Sequence, residues 1–368
     1  MTKMKKVLTI GGATLDTIIK YECMETMQIH KPHALLSYAL LEEGAKIEVT
    51  DQARFSGGGA TNAAVSFKKQ GYDVSFFGKV GDDQAGKDIL AELERYGVDV
   101  SNSTVSQVHG TASSFVIPSL KGDRMVFAYR GANTNVLEND LPKEAIQSCD
   151  FVYVTSLSKA SAARLPEIAA IAKAQKVKVA INPGISQLVV GSGFVRDALH
   201  GIDILILNYD EAKQLMASLV SVDENIRHAI ESASYGHGEA LLDSRVDFEE
   251  MGFSLRHFIR EVLKIGPEIV VVTDGGEGLY VGTNDALYFH EALKVPVVNT
   301  LGAGDSFGSS FVGAIYSGKS IEESIKYGLV NSASVIAYPD AKTGLMDKVA
   351  LELAVDEVPQ GLCRKTHW

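Results

Sequence analysis

The 368-residue chain is poor in basic residues, in cysteine and in long apolar runs. Its 35 Lys and Arg stand against 46 Asp and Glu, a formal net charge of −11. That balance offers no basic footprint for a nucleic acid and none for an anionic membrane surface. No stretch approaches the ~18 consecutive apolar residues that mark a membrane-spanning helix. The three cysteines, Cys23, Cys149 and Cys363, are odd in number and far apart. They supply neither a disulfide framework nor a Cys-x-x-Cys metal site, and a reducing cytoplasm is the simplest setting. The apolar segment Val7–Gly12 behind the basic start is too short for a signal sequence and reads as a first buried strand. There is no His-x-x-x-His pair and no Gly-x-x-x-x-Gly-Lys-Ser/Thr, which excludes a helical zinc pair and a P-loop. His228 and His237 therefore read as solvated.

What the chain does have is alternation. Apolar, β-branched runs recur at Val7–Ile10, Val74–Phe77, Phe151–Val154, Val177–Ile181, Ile202–Leu207 and Ile269–Thr273. Between them lie patterns of helical period, among them Gly59–Gln70, Ala85–Tyr96, Arg164–Ala174 and Tyr209–Met216. Continuously apolar strands separated by helices predict an α/β fold with a parallel sheet covered on both faces. Lys46–Phe55 and Ser113–Arg130 instead alternate polar and apolar residues, with Lys121-Gly122-Asp123 as a hairpin turn. They predict a small capping sheet, one face toward a ligand and the other toward a partner subunit. Two segments read as insertions without evident chemistry. His30–Glu43 carries leucines and alanines at helical spacing. Ser221–Arg260 is charged, is interrupted by Gly236-His237-Gly238 and runs into a helical pattern from Phe253 to Leu263.

The richest local signal is Asn299-Thr300-Leu301-Gly302-Ala303-Gly304-Asp305-Ser306-Phe307. A β-rich run, Leu293–Val298, leads into two glycines and then an apolar helical pattern. The first amides of a helix lack internal partners, and with the helix dipole they form an anion site. A carboxylate beside a bound phosphate repels it, unless that carboxylate takes a proton from an attacking hydroxyl. Asp305 fits that role; the plainer reading is an acidic residue favoured by the dipole. A second glycine cluster, Ser56-Gly57-Gly58-Gly59-Ala60-Thr61-Asn62, opens another helix, and Asn62 offers a donor and an acceptor to a hydroxyl-rich ligand. It is not a dinucleotide fingerprint, because Asn62 holds the place of the third glycine and the cluster does not follow the first buried strand. Asp16, in Gly11-Gly12-Ala13-Thr14-Leu15-Asp16, stands where parallel sheets gather ligands and reads either as a hydroxyl acceptor or as a turn aspartate. Asn208 and Glu211 share one face of a starting helix; they could hold the water shell of Mg²⁺ or form a capping box. Thr273-Asp274-Gly275-Gly276-Glu277-Gly278 is a strand-end turn that suits a hairpin or a nucleotide surface alike.

Taken in order from about Val7 to Gly344, these segments resemble the ribokinase-like, or PfkB, family of sugar and nucleoside kinases. Gly57–Asn62 with Gly78-Lys79-Val80-Gly81-Asp82-Asp83-x-x-Gly86 is similar to the family's first signature, and Thr300–Asp305 to its second. The resemblance implies a three-layer α/β/α domain over residues 1–368 with a mostly parallel central sheet. A small β lid would be built from about 17–56 and 108–132, with a charged insertion at about 221–260. It implies ATP-dependent phosphorylation of a hydroxyl, with Mg²⁺. Asp305 would be the general base and the Gly302, Ala303, Gly304 and Asp305 amides the anion hole. Asn208 and Glu211 would organise Mg²⁺; Thr273, Gly275 and Gly278 would border ATP, and Asn331 would touch its adenine side. Asp16, Gly58, Asn62 and Arg130 would hold the acceptor. Asn299 stands where the family often has an aspartate that helps bind a monovalent cation, which puts K⁺ activation in doubt. A sugar acceptor is favoured by the polar anchors, although Phe115, Phe127 and Tyr129 keep an adenosine-like nucleoside open. A non-catalytic regulator would be expected to have lost Asp305. A homodimer through the lid is the family-level expectation.

Overall fold

The apolar runs form the middle of a nine-stranded sheet. In the computed structural model, residues 4–20, 25–31, 34–118, 124–189, 193–231, 242, 246–248, 251–359 and 361–368 are described. Across the sheet lie Cys363–His367, Ala286–His290, Leu279–Thr283, Ile269–Thr273, Ile204–Asn208, Lys178–Ile181, Phe151–Val154, Lys6–Ile10 and Asp73–Phe77. The strands from Ile269–Thr273 to Asp73–Phe77 pair in parallel, and the remaining three are added antiparallel at one edge.

Side chains alternate across a strand, so each central strand feeds two cores. Leu8, Ile10, Val152, Val154, Leu205, Leu207, Val270 and Val272 pack against helices Leu165–Ala174, Tyr209–Val220 and Leu255–Ile265. Val7, Phe151, Tyr153, Ile204, Ile206 and Val271 pack on the other face against helices Gly59–Lys69, Ala303–Tyr316 and Ile321–Val335. Each fully buried aliphatic side chain contributes roughly 1.5–3 kcal/mol. The three layers therefore follow from strands that are apolar on both faces.

A four-stranded sheet stands beside the main one, ordered Arg124–Tyr129, Ala112–Pro118, Thr14–Lys20 and Asp51–Gly57. It confirms the expected lid and enlarges it, because Asp16 lies on a lid strand rather than in a loop. The proposed turn Lys121-Gly122-Asp123 lies outside the described residues, but the strands on either side pair antiparallel, Arg124 opposite Pro118.

Two expectations are corrected. His30–Glu43 is not helical: Glu25–Lys31 and Ala34–Leu40 form a two-stranded antiparallel ribbon. Met27, Ile29, Tyr38 and Leu40 on it are exposed. Met27 and Ile29 alternate with polar residues and share one face with Tyr38 and Leu40 of the other strand, and the leucines and alanines also fall at helical spacing, which the pairing overrides. The β-branched run Leu293–Val298 is not a strand either. Pro296 removes a ladder donor, and Val297 and Val298 are 57% and 63% exposed. Within the insertion the described parts are helix Glu224–Glu231, a short antiparallel pair Val246–Phe248 and Met251–Phe253, and the start of helix Leu255–Ile265; Gly236–Gly238 lie outside the described residues.

Candidate active site

Asp16 and Asp305 stand on either side of the glycine cluster Gly57–Gly59. A β-carbon on Gly57 would collide with Asp16 Oδ2, and one on Gly59 would come within 3.0 Å of Asp305 Oδ1. Gly58 has φ 98° and presses its backbone onto Gly12, so no side chain can replace its hydrogen. Three consecutive glycines thus let one backbone turn pass between two carboxylates. The turn opens helix Gly59–Lys69, whose Asn62 donates from Nδ2 to Asp305 Oδ2 at 2.8 Å. Asn62 Oδ1 is buried and accepts no hydrogen bond. A buried amide oxygen left without a donor is costly, and its neighbour here is the candidate base.

Burial raises the Asp305 pKa, the Asn62 bond and the Lys342 ammonium oppose that rise, and Asp16 adds to it. Burial raises Asp16 as well, against its bond from Ser114 Oγ at 2.6 Å and the pull of Lys342. Burial is therefore the largest influence on both carboxyls and holds each above the ordinary aspartate range.

Asp305 stands in the first turn of helix Ala303–Tyr316, whose N-cap Gly302 has φ 79°. Thr300 O draws the Ala303 amide at 3.3 Å. That corrects the expected anion hole: the amides without a backbone acceptor among the described residues are those of Gly302, Gly304 and Asp305. Nothing stands within 4 Å of where a Gly304 side chain would point.

Asn208 and Thr273 are paired at the ends of adjacent parallel strands. Asn208 and Glu211 form the capping box: Asn208 Oδ1 accepts from the Glu211 amide at 2.9 Å and Glu211 Oε2 from the Asn208 amide at 2.8 Å. The box uses the Asn208 oxygen and leaves Glu211 Oε1 without a bond among the described residues. Burial raises the Glu211 pKa, its Asn208 bond opposes this, and Asp210 and Asp305 reinforce it. An anionic field that reaches Asp305, with one open carboxylate oxygen, fits a divalent cation held largely through water. Gly275, with φ 52°, faces open space, whereas Gly278 closes the turn on Asp274 and packs against the His290 backbone.

One expected binding residue, Asn331, does not fit the geometry, and neither the open nucleoside alternative nor the doubted cation site gains support. Asn331 is 0% exposed, and its amide is spent on Ser310 Oγ, Ser66 Oγ and the Met346 N–H. It braces the interior and cannot touch adenine. Phe115 and Phe127 lie opposite each other in register and Tyr129 is two residues on, so all three share the lid face opposite Asp16, which pairs with Ser114. They are exposed and do not form a base clamp over Asp16. Asn299 donates from Nδ2 to Pro339 O at 2.9 Å and accepts from the Leu301 amide at 3.0 Å. Both ends of that amide are committed to backbone, so it does not fit the role of a cation ligand. Arg130 is exposed, with no ion pair among the described residues.

Two residues carried no sequence signal. Asn133 bonds both backbone groups of Ala13, at 3.2 and 3.0 Å, and fixes the step from main sheet to lid. Lys342 is 3% exposed and donates to Ser56 O at 2.6 Å and Ser56 Oγ at 2.5 Å. Burial pushes its pKa down to about 8, against the pull of Glu92, Asp16, Asp340 and Asp305.

Comparison with known proteins bears on the family and the fold. The model of the pfkB family carbohydrate kinases matches residues 27–240 and 254–348. The chain is 25% identical over 356 residues to a ribokinase of Staphylococcus aureus, covering 96% of this chain and 99% of that one. It is 26% identical over 305 residues to the guanosine-inosine kinase of Exiguobacterium acetylicum, covering 82% and 89%. The fold superposes on Arabidopsis thaliana ribokinase complexed with ribose and ATP, with a TM-score of 0.71, 19% identity and 96% and 99% coverage. The family model matches most of the chain, and the chain belongs to the pfkB family of ATP-dependent carbohydrate kinases.

Proposed function

We propose that the chain transfers the γ-phosphoryl group of ATP to a hydroxyl of a sugar, with Asp305 as general base. The observation that carries this reading is the pair of atoms that Asn62 presents: a donor bonded to Asp305 and a buried oxygen awaiting a donor. One hydroxyl of the acceptor gives its hydrogen bond to Asn62 Oδ1 and holds the acceptor in place, while the neighbouring, reacting hydroxyl donates to Asp305. As the oxygen of the reacting hydroxyl bonds to the γ-phosphorus, its proton passes to Asp305, the β–γ bridging bond breaks and ADP leaves. Positioning and charge stabilisation do most of the work in such a transfer. The open amides of Gly302, Gly304 and Asp305 face the developing charge, each worth roughly 3–4 kcal/mol. Glu211 would hold Mg²⁺ through water, and the ion would neutralise phosphate charge.

Asp16 and Ser114 suit a further hydroxyl of the acceptor, and the outward placement of Phe115, Phe127 and Tyr129 favours a sugar over a nucleoside. The relatives include both a ribokinase and a guanosine-inosine kinase, so a nucleoside remains the second reading. The test is ADP release from ATP across sugars, sugar acids and nucleosides. Acceptor-dependent release that stops on chelation of Mg²⁺ is the expected result. ATP binding without turnover on any acceptor would overturn the kinase reading in favour of a regulator.

The apolar outer face of the lid suits pairing of two copies, since monomers rarely expose such patches. Light scattering should give twice the chain mass; a monomer at working concentration refutes the pairing.

A further inference from the structure

A buried ammonium seldom stabilises a fold, because desolvation offsets its attractions. Lys342 is nevertheless 3% exposed, and its place is specific. Its Nζ holds the carbonyl and hydroxyl of Ser56, the last residue before Gly57–Gly59. Ser56 Oγ in turn donates to Glu92 Oε1 at 2.8 Å. The preceding residue, Ala341, abuts Gly302 so closely that a β-carbon there would collide with it. The segment is itself rigid: Asp340 accepts from the amides of Lys342 and Thr343 at 2.8 Å each and from Thr343 Oγ1 at 2.6 Å. One three-residue stretch therefore touches the lid hinge and the anion-binding turn together.

We propose that Lys342 is a positioning residue that holds the Ser56–Gly59 hinge in register with the Gly302–Asp305 turn, so that an acceptor bound at Asp16 and Asn62 lies against Asp305. It touches neither substrate nor nucleotide in this role. The charged groups facing it are Glu92, Asp16, Asp340 and Asp305. The inference rests on the kinase reading for its kinetic consequences, but its structural consequence stands apart from turnover.

The experiment compares Lys342→Met and Lys342→Arg with the parent protein. Lys342→Met should lower acceptor kcat/KM by about 10²-fold, the scale of a misplaced reactant, while calorimetric ATP affinity stays unchanged. Parent kcat/KM should fall above pH about 8 as the ammonium loses its proton, and Lys342→Arg should move that limb upward because guanidinium stays charged. Hydrogen exchange without acceptor should quicken at both 53–62 and 300–306 in Lys342→Met. If Lys342→Met fails to fold, Glu92→Gln removes a carboxylate facing Lys342 and should shift the alkaline limb downward. Unchanged acceptor kinetics in folded Lys342→Met, exchange quickened at neither segment, ATP affinity lost in parallel, or a limb that stays put in these variants overturns the proposal. A parent protein inactive on every acceptor counts against the kinase reading instead, and the exchange data still decide the role of Lys342.

Discussion

Asp305→Asn is expected to lower turnover by about 10²–10⁴, the range for loss of a general base, and to leave ATP binding intact. Rate is read from ADP release and binding from calorimetry; near-parental turnover in a clean preparation removes Asp305 from the mechanism. The pH profile supplies a second check. Because burial raises the Asp305 pKa above 3.8, the acid limb of kcat/KM should lie above the ordinary aspartate range. Activity should fall as pH drops through that raised value. Stability runs the other way. A carboxyl whose pKa is higher in the fold than in the unfolded chain favours folding below the unfolded value, and that contribution is lost as pH rises through the folded value. At neutral pH the charged Asp305 therefore costs stability, and Asp305→Asn should melt higher than the parent. A lower melting temperature at neutral pH would contradict the burial argument.

Asn62→Asp is expected to act on the same carboxyl. It replaces the amide that donates to Asp305 Oδ2 at 2.8 Å with another carboxyl. Two carboxylates that close cannot both ionise readily, and they share a proton over a wide pH range. The base is then largely blocked at neutral pH. Turnover should drop by at least about tenfold there, as one unit of pKa difference implies, and recover in part as pH rises. Asn62→Leu separates the two losses: it removes both the donor and the acceptor without adding charge, so it should raise acceptor KM and, with the Asn62 bond no longer opposing burial, move the acid limb upward by less than Asn62→Asp does. An acid limb identical in Asn62→Asp and the parent would mean that the two side chains do not interact in the working enzyme.

Much of this was legible before any coordinates. Six buried strands declared themselves as short β-branched runs because parallel strands covered on both faces have no polar side to show. The two glycine turns and Asp305 were legible because turn, anion site and base leave a compact local pattern. What failed was what depends on neighbours. The ribbon of Glu25–Lys31 and Ala34–Leu40 carries leucines and alanines that fit a helical period as well as a strand, and only the cross-strand pairing decides between them; Leu293–Val298 has strand-forming residues but no strand beside it. Asn331 looked like a binding residue because an amide on a helix does not reveal whether Ser66 and Ser310 already occupy it. Lys342 and Asn133 act through contacts 286 and 120 residues away in sequence, and a single lysine or asparagine in a mixed stretch carries no trace of them.

The bond between Asn62 and Asp305 spans 243 residues of chain, and that between Lys342 and Ser56 spans 286. Such long loops close late, after local contacts have formed. During synthesis Asp16 and Asn62 emerge long before Asp305. The proposed site would therefore be completed only when helix Ala303–Tyr316 docks, and a chain that stalls before then would lack the proposed base.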